Sequence, residues 1–185
     1  MICRLALLAV FAAPLSASLI DPPITSDGGV AHYLDGEDWV LSAPGFTPIR
    51  ATVPGDIVTD LQVAGLVGDP LYEVNWIRDA GVWANNAWTY TKSFAVSAAD
   101  IATINAGGDV WLVLDGAKMS SYVSVNGVTV GTTSDQYLRY TFSLKGASLV
   151  VGGNALAVTF DPANQTTEGR WMACSGGWDW AQYST

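Results

Sequence analysis

The stretch YVSVNGVTVG, residues 122–131, decides the fold class. Val123 and Val125 run into Asn126-Gly127, and Val128 and Val130 run out of it. Alternating apolar residues on both sides of an Asn-Gly pair spell a two-residue β-hairpin with a type I′ turn, because both central residues must take positive φ. Working outward, the flanking sequence keeps the same period of two. In WTYTKSFAV (88–96), Trp88, Tyr90 and Phe94 share one face, with Thr89, Thr91 and Ser93 on the other. DVWLVLDG (109–116) is apolar on both faces, as a central strand of a sandwich is. YLRYTFSL (137–144) and NALAVTF (154–160) supply two more strands, and Trp39-Val40-Leu41 opens the first. Short strands joined by Gly- and Asn-rich turns predict an all-β sandwich.

One segment breaks the period. In RATVPGDIVTDLQVAGLVGDP (50–70), Pro54-Gly55 makes a turn and Asp56 is a helix N-cap candidate. Ile57, Leu61 and Ala64 fall on one helical face. Gly65 or Gly68 ends the helix, and Pro70 forbids its resumption. This is the single short helix the sequence predicts. Trp76, Trp83 and Trp88 are candidate core residues.

The chain has 185 residues, half of them hydrophobic, enough for one domain with a sizeable core. Its formal net charge is −9, and its eight Lys and Arg are scattered. That balance excludes nucleic acid and an anionic membrane surface as partners, since both need clustered positive charge. The start, MICRLALLAVFAAPLSAS, has Arg4, an apolar run of about eleven residues and then small residues, the pattern of a secretory signal peptide. Residues 1–18 are therefore expected to be removed near Ala17 or Ser18, the alternative being an uncleaved anchor. Residues 19–36, rich in Pro, Gly and Asp, read as a leader segment, and 37–185 as the sandwich. Cys3 lies in the signal, so the mature chain keeps the lone thiol Cys174 and has no internal disulfide. Asn164-Gln165-Thr166 is a glycosylation sequon, meaningful on a secreted chain.

Little in the sequence carries catalysis. The single histidine, His32, and the single mature cysteine make no metal site, and no cofactor or metal is expected. His32 sits in the irregular leader, a poor place for the base of a serine hydrolase. Glycosidic cleavage uses two acids about 5–9 Å apart, and Glu37, Glu73 and Glu168 all fall in loop-like segments. The aromatics remain. Sugars stack their flat C–H faces on Trp, and their hydroxyls need acceptors such as Asp. Trp178-Asp179-Trp180 offers both, with Arg170 placed to orient the carboxylate. The competing reading makes Trp178 and Trp180 sandwich core and Asp179 a turn cap.

Several of these motifs, in this order, resemble the N-terminal domain of β-mannosidases of glycoside hydrolase family 2. ATVPGDIVTDLQVAGLVGDPLYEVN is similar to the family's opening segment through Pro54, Gly55, Leu61, Gly65, Leu66, Asp69, Pro70, Tyr72 and Asn75. NNAWTYTKSFAV resembles its WTY…F strand, and residues 112–144 its LNG hairpin run. The closing GRWMACSGGWDWAQYST resembles its CS.GWDWAP signature, with Gln182 where the family has Pro. The resemblance covers roughly residues 36–185. It implies a galactose-binding-like jelly roll that precedes a TIM barrel carrying the catalytic glutamates. By position, Asp179 with Trp178 or Trp180 would join the rim of the terminal mannose pocket. The expected function is that of a non-catalytic N-terminal domain, truncated at its C-terminal end, of an enzyme acting on terminal β-D-mannosides. Its partners would be that carbohydrate and the missing barrel. Its location would be the secretory pathway, extracellular or lysosomal/vacuolar. The alternative is a free-standing secreted carbohydrate-binding module.

Overall fold

The computed structural model describes residues 5–10, 30–118 and 120–164. Two antiparallel sheets face each other across one core. The larger has six strands in the order β4-β3-β5-β10-β7-β8. These are β3 (Gly36–Ser42), β4 (Ile49–Val53), β5 (Trp88–Val96), β7 (Ser121–Val125), β8 (Val128–Thr132) and β10 (Gly152–Phe160). The smaller runs β2-β1-β6-β9, with β1 (Leu5–Val10), β2 (Val30–Tyr33), β6 (Asp109–Asp115) and β9 (Arg139–Ser143). The expected all-β sandwich is thus present, built by the alternation that predicted it. Trp88, Tyr90, Phe94 and Val96 of β5 are buried, and Ser93 and Ala95 between them are exposed. From the opposite sheet, Val110, Leu112 and Leu114 of β6 enter the same cluster. Strand β6 lies between β1 and β9, the central place its two apolar faces predicted.

The hairpin forms where the sequence puts it. Val125 pairs with Val128, and Asn126 and Gly127 have φ of 49° and 78°. Asn126 also ties the turn to the neighbouring strand, its side-chain oxygen accepting from Ala155 N (2.9 Å). A β-branched residue tolerates the left-handed region poorly, so Gly127→Val is expected to cost more than about 1 kcal/mol in denaturant titration. An unchanged unfolding midpoint would contradict the turn.

Among the described residues three α-helices, and not one, accompany the sheets: α1 (Ile57–Val63), α2 (Asn75–Ala84) and α3 (Ala98–Asn105). The predicted one is α1. Its N-cap Asp56 accepts from Thr59 N (2.9 Å), and Gly65 follows it with φ 71°. Leu61 is fully buried, Ile57 partly, and Ala64 is exposed. The other two interrupt the strand run at β-to-β crossings. Helix α3 is started by a capping box in which Ser97 and Asp100 satisfy each other's backbone amides. Helix α2 has no side-chain cap, and tertiary packing of Trp83 holds it. Strand β2 lies within the stretch read as a leader, and β1 within the apolar N-terminal run.

Polar groups pin the elements together. Tyr90 donates to Asp60 Oδ2 (2.8 Å), and Thr52 N donates to Asp60 Oδ1 (3.3 Å). One carboxylate therefore joins α1, β4 and β5. Burial pushes the Asp60 carboxyl up, against the lowering effect of the Tyr90 hydrogen bond. Burial, with Asp60 beside it, pushes the Tyr90 hydroxyl well above its ordinary value, so it stays a donor. On β5, Lys92 points to the buried face and ion-pairs with Asp38 of β3. Its aliphatic stem covers apolar surface while the ammonium reaches the rim.

Candidate functional site

Three strand ends meet at one rim of the larger sheet. Phe160, the last residue of β10, pairs with Trp88, the first of β5, and with Ser121, the first of β7. The chain leaves the sheet there through a turn of 3-10 helix, Pro162–Asn164, with Asp161 Oδ1 accepting from Ala163 N (2.9 Å). Asn164, the sequon asparagine, ends this turn. Arg170, Trp178, Asp179 and Trp180 follow on the departing segment and lie outside the described residues, as do Cys174 and Glu168. The described residues therefore set the rim from which that segment starts.

The same rim carries the crossing from β4 to β5. Trp88 is fully buried, and its Nε1 donates to Val82 O (3.0 Å) at the end of α2. Phe46 packs on the Trp88 ring at 5.0 Å, and Phe160 meets Tyr90 edge-on at 6.2 Å. Of the other candidate core tryptophans, Trp83 is buried and Trp76 partly buried. The aromatic residues at 83, 88, 90 and 160 thus weld the chain exit to the crossing.

The crossing is closed on itself by Asp69 and Asn75, which carry part of the sequence resemblance, together with Gly68, Arg78 and Asp79. Asp69 Oδ1 accepts from Leu71 N, and Asn75 Nδ2 returns to Asp69 O (both 2.9 Å). Gly68 N donates to Asp79 Oδ2 (2.8 Å), and Arg78 grips both oxygens of Asp79 at 2.7 Å. A Cβ on Gly68 would lie 2.6 Å from the Asn75 amide and 2.9 Å from the Arg78 guanidinium, so a side chain there would push both groups out of these bonds. Asp69, Gly68 and Asn75 are thereby bracing residues. The surface they brace is apolar: Leu71, Tyr72, Val74 and Ile77 are all more than half exposed. Large apolar side chains concentrated on one short segment mark a contact surface.

The bracing has an electrostatic consequence. The Arg78 guanidinium first, and Gly68 N second, hold the Asp79 carboxyl at about 2. A depressed folded-state value gives stability that is present above the unfolded carboxyl's range and lost as pH falls towards 2. The gap in melting temperature between the native chain and Asp79→Asn is therefore expected to be widest above about pH 4 and to narrow towards pH 2. A constant gap across that range would dissociate Asp79 from the effect.

Among the described residues, the two glutamates weighed as acids stand on different elements, Glu37 on β3 and not in a loop, and Glu73 on the crossing. Glu37 pairs with Arg50 on β4, both side chains largely exposed. Glu73 sits on the exposed crossing with φ 51°. His32 lies on β2, and among the described residues no group of three His, Cys, Asp or Glu is placed to hold a metal ion. What the rim offers is a hydrogen-bonded base with an apolar flank, an arrangement suited to presenting a segment.

Comparison with known proteins places the chain in a family. The profile of the family described as glycosyl hydrolase 2 galactose-binding domain-like matches residues 35–184. The β-mannosidase of Mus musculus is 29% identical over 140 residues, which cover 76% of this chain and 15% of the relative. β-Mannosidase B of Emericella nidulans is 26% identical over 181 residues, 83% of this chain and 21% of the relative. The crystal structure of the β-D-mannosidase from Dictyoglomus thermophilum superposes with a TM-score of 0.61 at 28% identity, covering 70% of this chain and 15% of that one. The Amycolatopsis orientalis exo-chitosanase CsxA shares the fold at a TM-score of 0.56 and 18% identity, over 69% of this chain and 16% of its own. The chain thus spans only about a seventh to a fifth of the length of these relatives.

Proposed function

The chain belongs to the glycosyl hydrolase 2 galactose-binding domain-like family, and from that premise we propose that it is the N-terminal, non-catalytic domain of a β-mannosidase-like enzyme. The parent acts on terminal β-D-mannosides. This domain supplies Asp179, Trp178 and Trp180, with Arg170 behind them, to the rim of the sugar pocket. The observation that carries the reading is one of proportion: β-mannosidases align with most of this chain, and the chain with only 15% to 21% of them. The rim agrees with it. The segment bearing Trp178-Asp179-Trp180 leaves the sheet after the Phe160–Trp88 pair, where the β4-to-β5 crossing also ends, and Leu71, Tyr72, Val74 and Ile77 on that crossing offer a partner domain an apolar face. The signal-like start fits a route through the secretory pathway to the exterior or a lysosome-like compartment.

In this scheme the two acids required for cleavage come from a barrel outside residues 1–185, and Asp179 contacts a sugar hydroxyl without exchanging its proton. Purified 1–185 chain is accordingly expected to show no turnover of an aryl β-mannoside, while the full-length parent hydrolyses it. Turnover by the short chain that disappears on mutating Glu37, Glu73 or Glu168 would overturn the non-catalytic assignment. Glycan-array binding by the short chain alone, lost in Asp179→Asn, would instead favour a free-standing carbohydrate-binding module.

A further inference from the structure

Asn126-Gly127 is the only Asn-Gly pair in the chain, and both residues are exposed. An asparagine followed by glycine is the most labile of the asparagine dipeptides. With no side chain beside it, the glycine nitrogen reaches the asparagine side-chain carbon more easily than that of any other residue. In the fold, Asn126 is held away from that encounter. Ala155 N donates to Asn126 Oδ1 (2.9 Å), and Asn126 Nδ2 donates to Asn154 Oδ1 (2.8 Å) and to Ser148 O (3.1 Å). The oxygen and nitrogen of the amide are both bonded outside the hairpin, to β10 and to the loop before it. Asn154 is itself fixed. It is 4% exposed, its Nδ2 donates to Val150 O (2.9 Å) and Gly152 O (3.0 Å), and Val150 N donates to its Oδ1 (3.0 Å). The clamp thus closes on the one group of the turn that can react.

We propose that Asn126 is a site of spontaneous deamidation gated by the Asn154 clamp: closed, the clamp keeps the amide from Gly127 N, and open, it lets the two cyclise. In the open state Gly127 N gives its proton to hydroxide or a buffer base and bonds to Asn126 Cγ. The Cγ–Nδ2 bond breaks, and the nitrogen leaves as ammonia with a proton from water. Water then adds to either carbonyl of the succinimide, and the ring opens to aspartate or isoaspartate. The only co-reactant is water. Neither product fits the closed clamp. A carboxylate has no N–H for Asn154 Oδ1 and Ser148 O, and it sets a negative charge against both acceptors. Isoaspartate also adds a carbon to the backbone of a two-residue turn whose register pairs Val125 with Val128. The modification therefore records time spent with the clamp open and loosens β8, an edge strand of the larger sheet. It acts towards the end of β10 opposite Phe160, away from the rim of the candidate site.

The test follows conversion at residue 126 by peptide mass spectrometry, resolving aspartate from isoaspartate, in the full 1–185 chain at mildly alkaline pH. A synthetic peptide of residues 121–132 supplies the unclamped rate. The folded chain should convert about tenfold or more slowly than the peptide, the ratio reporting how rarely the clamp opens. Asn154→Ala, shown to be folded by near-ultraviolet circular dichroism, should recover most of that difference. Equal rates for the folded chain and the peptide, or a folded Asn154→Ala chain that converts no faster than the native one, would overturn the gate. If Asn154→Ala does not fold, the native chain in graded urea decides. Its conversion should climb at concentrations below the global unfolding transition, because the clamp opens locally. A rate that stays flat up to that transition and rises only with it would overturn a local gate. The consequence is read separately in Asn126→Asp, which should unfold at a lower denaturant midpoint and exchange the amides of residues 128–132 faster. A midpoint and exchange equal to those of the native chain would overturn the loosening.

Discussion

Asp179→Ala in the full-length parent is expected to lower kcat/KM for an aryl β-mannoside roughly 30- to 900-fold, about 2–4 kcal/mol of transition-state stabilisation. The argument starts from alternation. On an extended segment Asp179 points opposite to Trp178 and Trp180, so the aromatic pair can pack or stack while the carboxylate faces a different partner. A buried carboxylate without a partner would cost several kcal/mol, which disfavours placing it in the sandwich core. An acceptor aimed at a sugar hydroxyl is worth most when the ring distorts towards the transition state, so the loss should fall mainly on kcat and less on KM. The same substitution in the 1–185 chain should shift unfolding by no more than about 0.5 kcal/mol, as for a surface position. A large loss of stability with kcat/KM unchanged would make Asp179 a turn cap and withdraw it from the sugar site.

Which features were legible follows from the range of the interactions that make them. The Asn126-Gly127 turn and the Asp56-to-Gly65 helix are written within ten residues of sequence, and both form as read. Helix α3 was equally legible: Ser97 and Asp100 stand at the capping-box spacing, but the strand-like residues on either side hide a helix of only eight residues. Helix α2 was not. Val74 at its start caps nothing with its side chain, Gly81 lies inside it, and its hold on the fold comes from Trp83 and from the Trp88 bond to Val82 O. The Tyr90–Asp60 bond spans 30 residues and has no local signature. Lys92 could be placed from alternation, since it shares the face of Trp88, Tyr90 and Phe94. Its tolerance there depends on Asp38, which the β3–β5 pairing brings across. At the candidate site, composition nominates the aromatic segment, whereas the meeting of the chain exit with the end of the β4-to-β5 crossing emerges only when β5 and β10 are paired.

That pairing makes Trp88 the residue whose loss should be felt most in the domain itself. Trp88→Ala is expected to cost about 3–5 kcal/mol, the range for emptying a large aromatic site. The ring is fully buried, lies 5.0 Å from Phe46, and stands where β5, β10 and the end of α2 converge. So few neighbours are free to collapse into the space that relaxation should recover little. Trp88→Phe separates volume from hydrogen bonding. It keeps a ring against Phe46 but deletes the indole N–H. Val82 O is not orphaned by that change, because Asn86 Nδ2 also donates to it (2.9 Å). The phenylalanine variant should therefore lose only about 1–3 kcal/mol, mostly from the smaller ring. Its hydrogen exchange should quicken in residues 75–86 before it does in β7 or β10, since the lost bond ties the end of α2 to the sheet beside the packing of Trp83. Uniform quickening across all these elements would show that α2 is held by packing alone. If the rim is the base on which the Trp178–Trp180 segment and its partner domain are mounted, the same variant in the parent should raise KM for the mannoside while leaving the two barrel acids, and hence the pH profile of kcat, where they were.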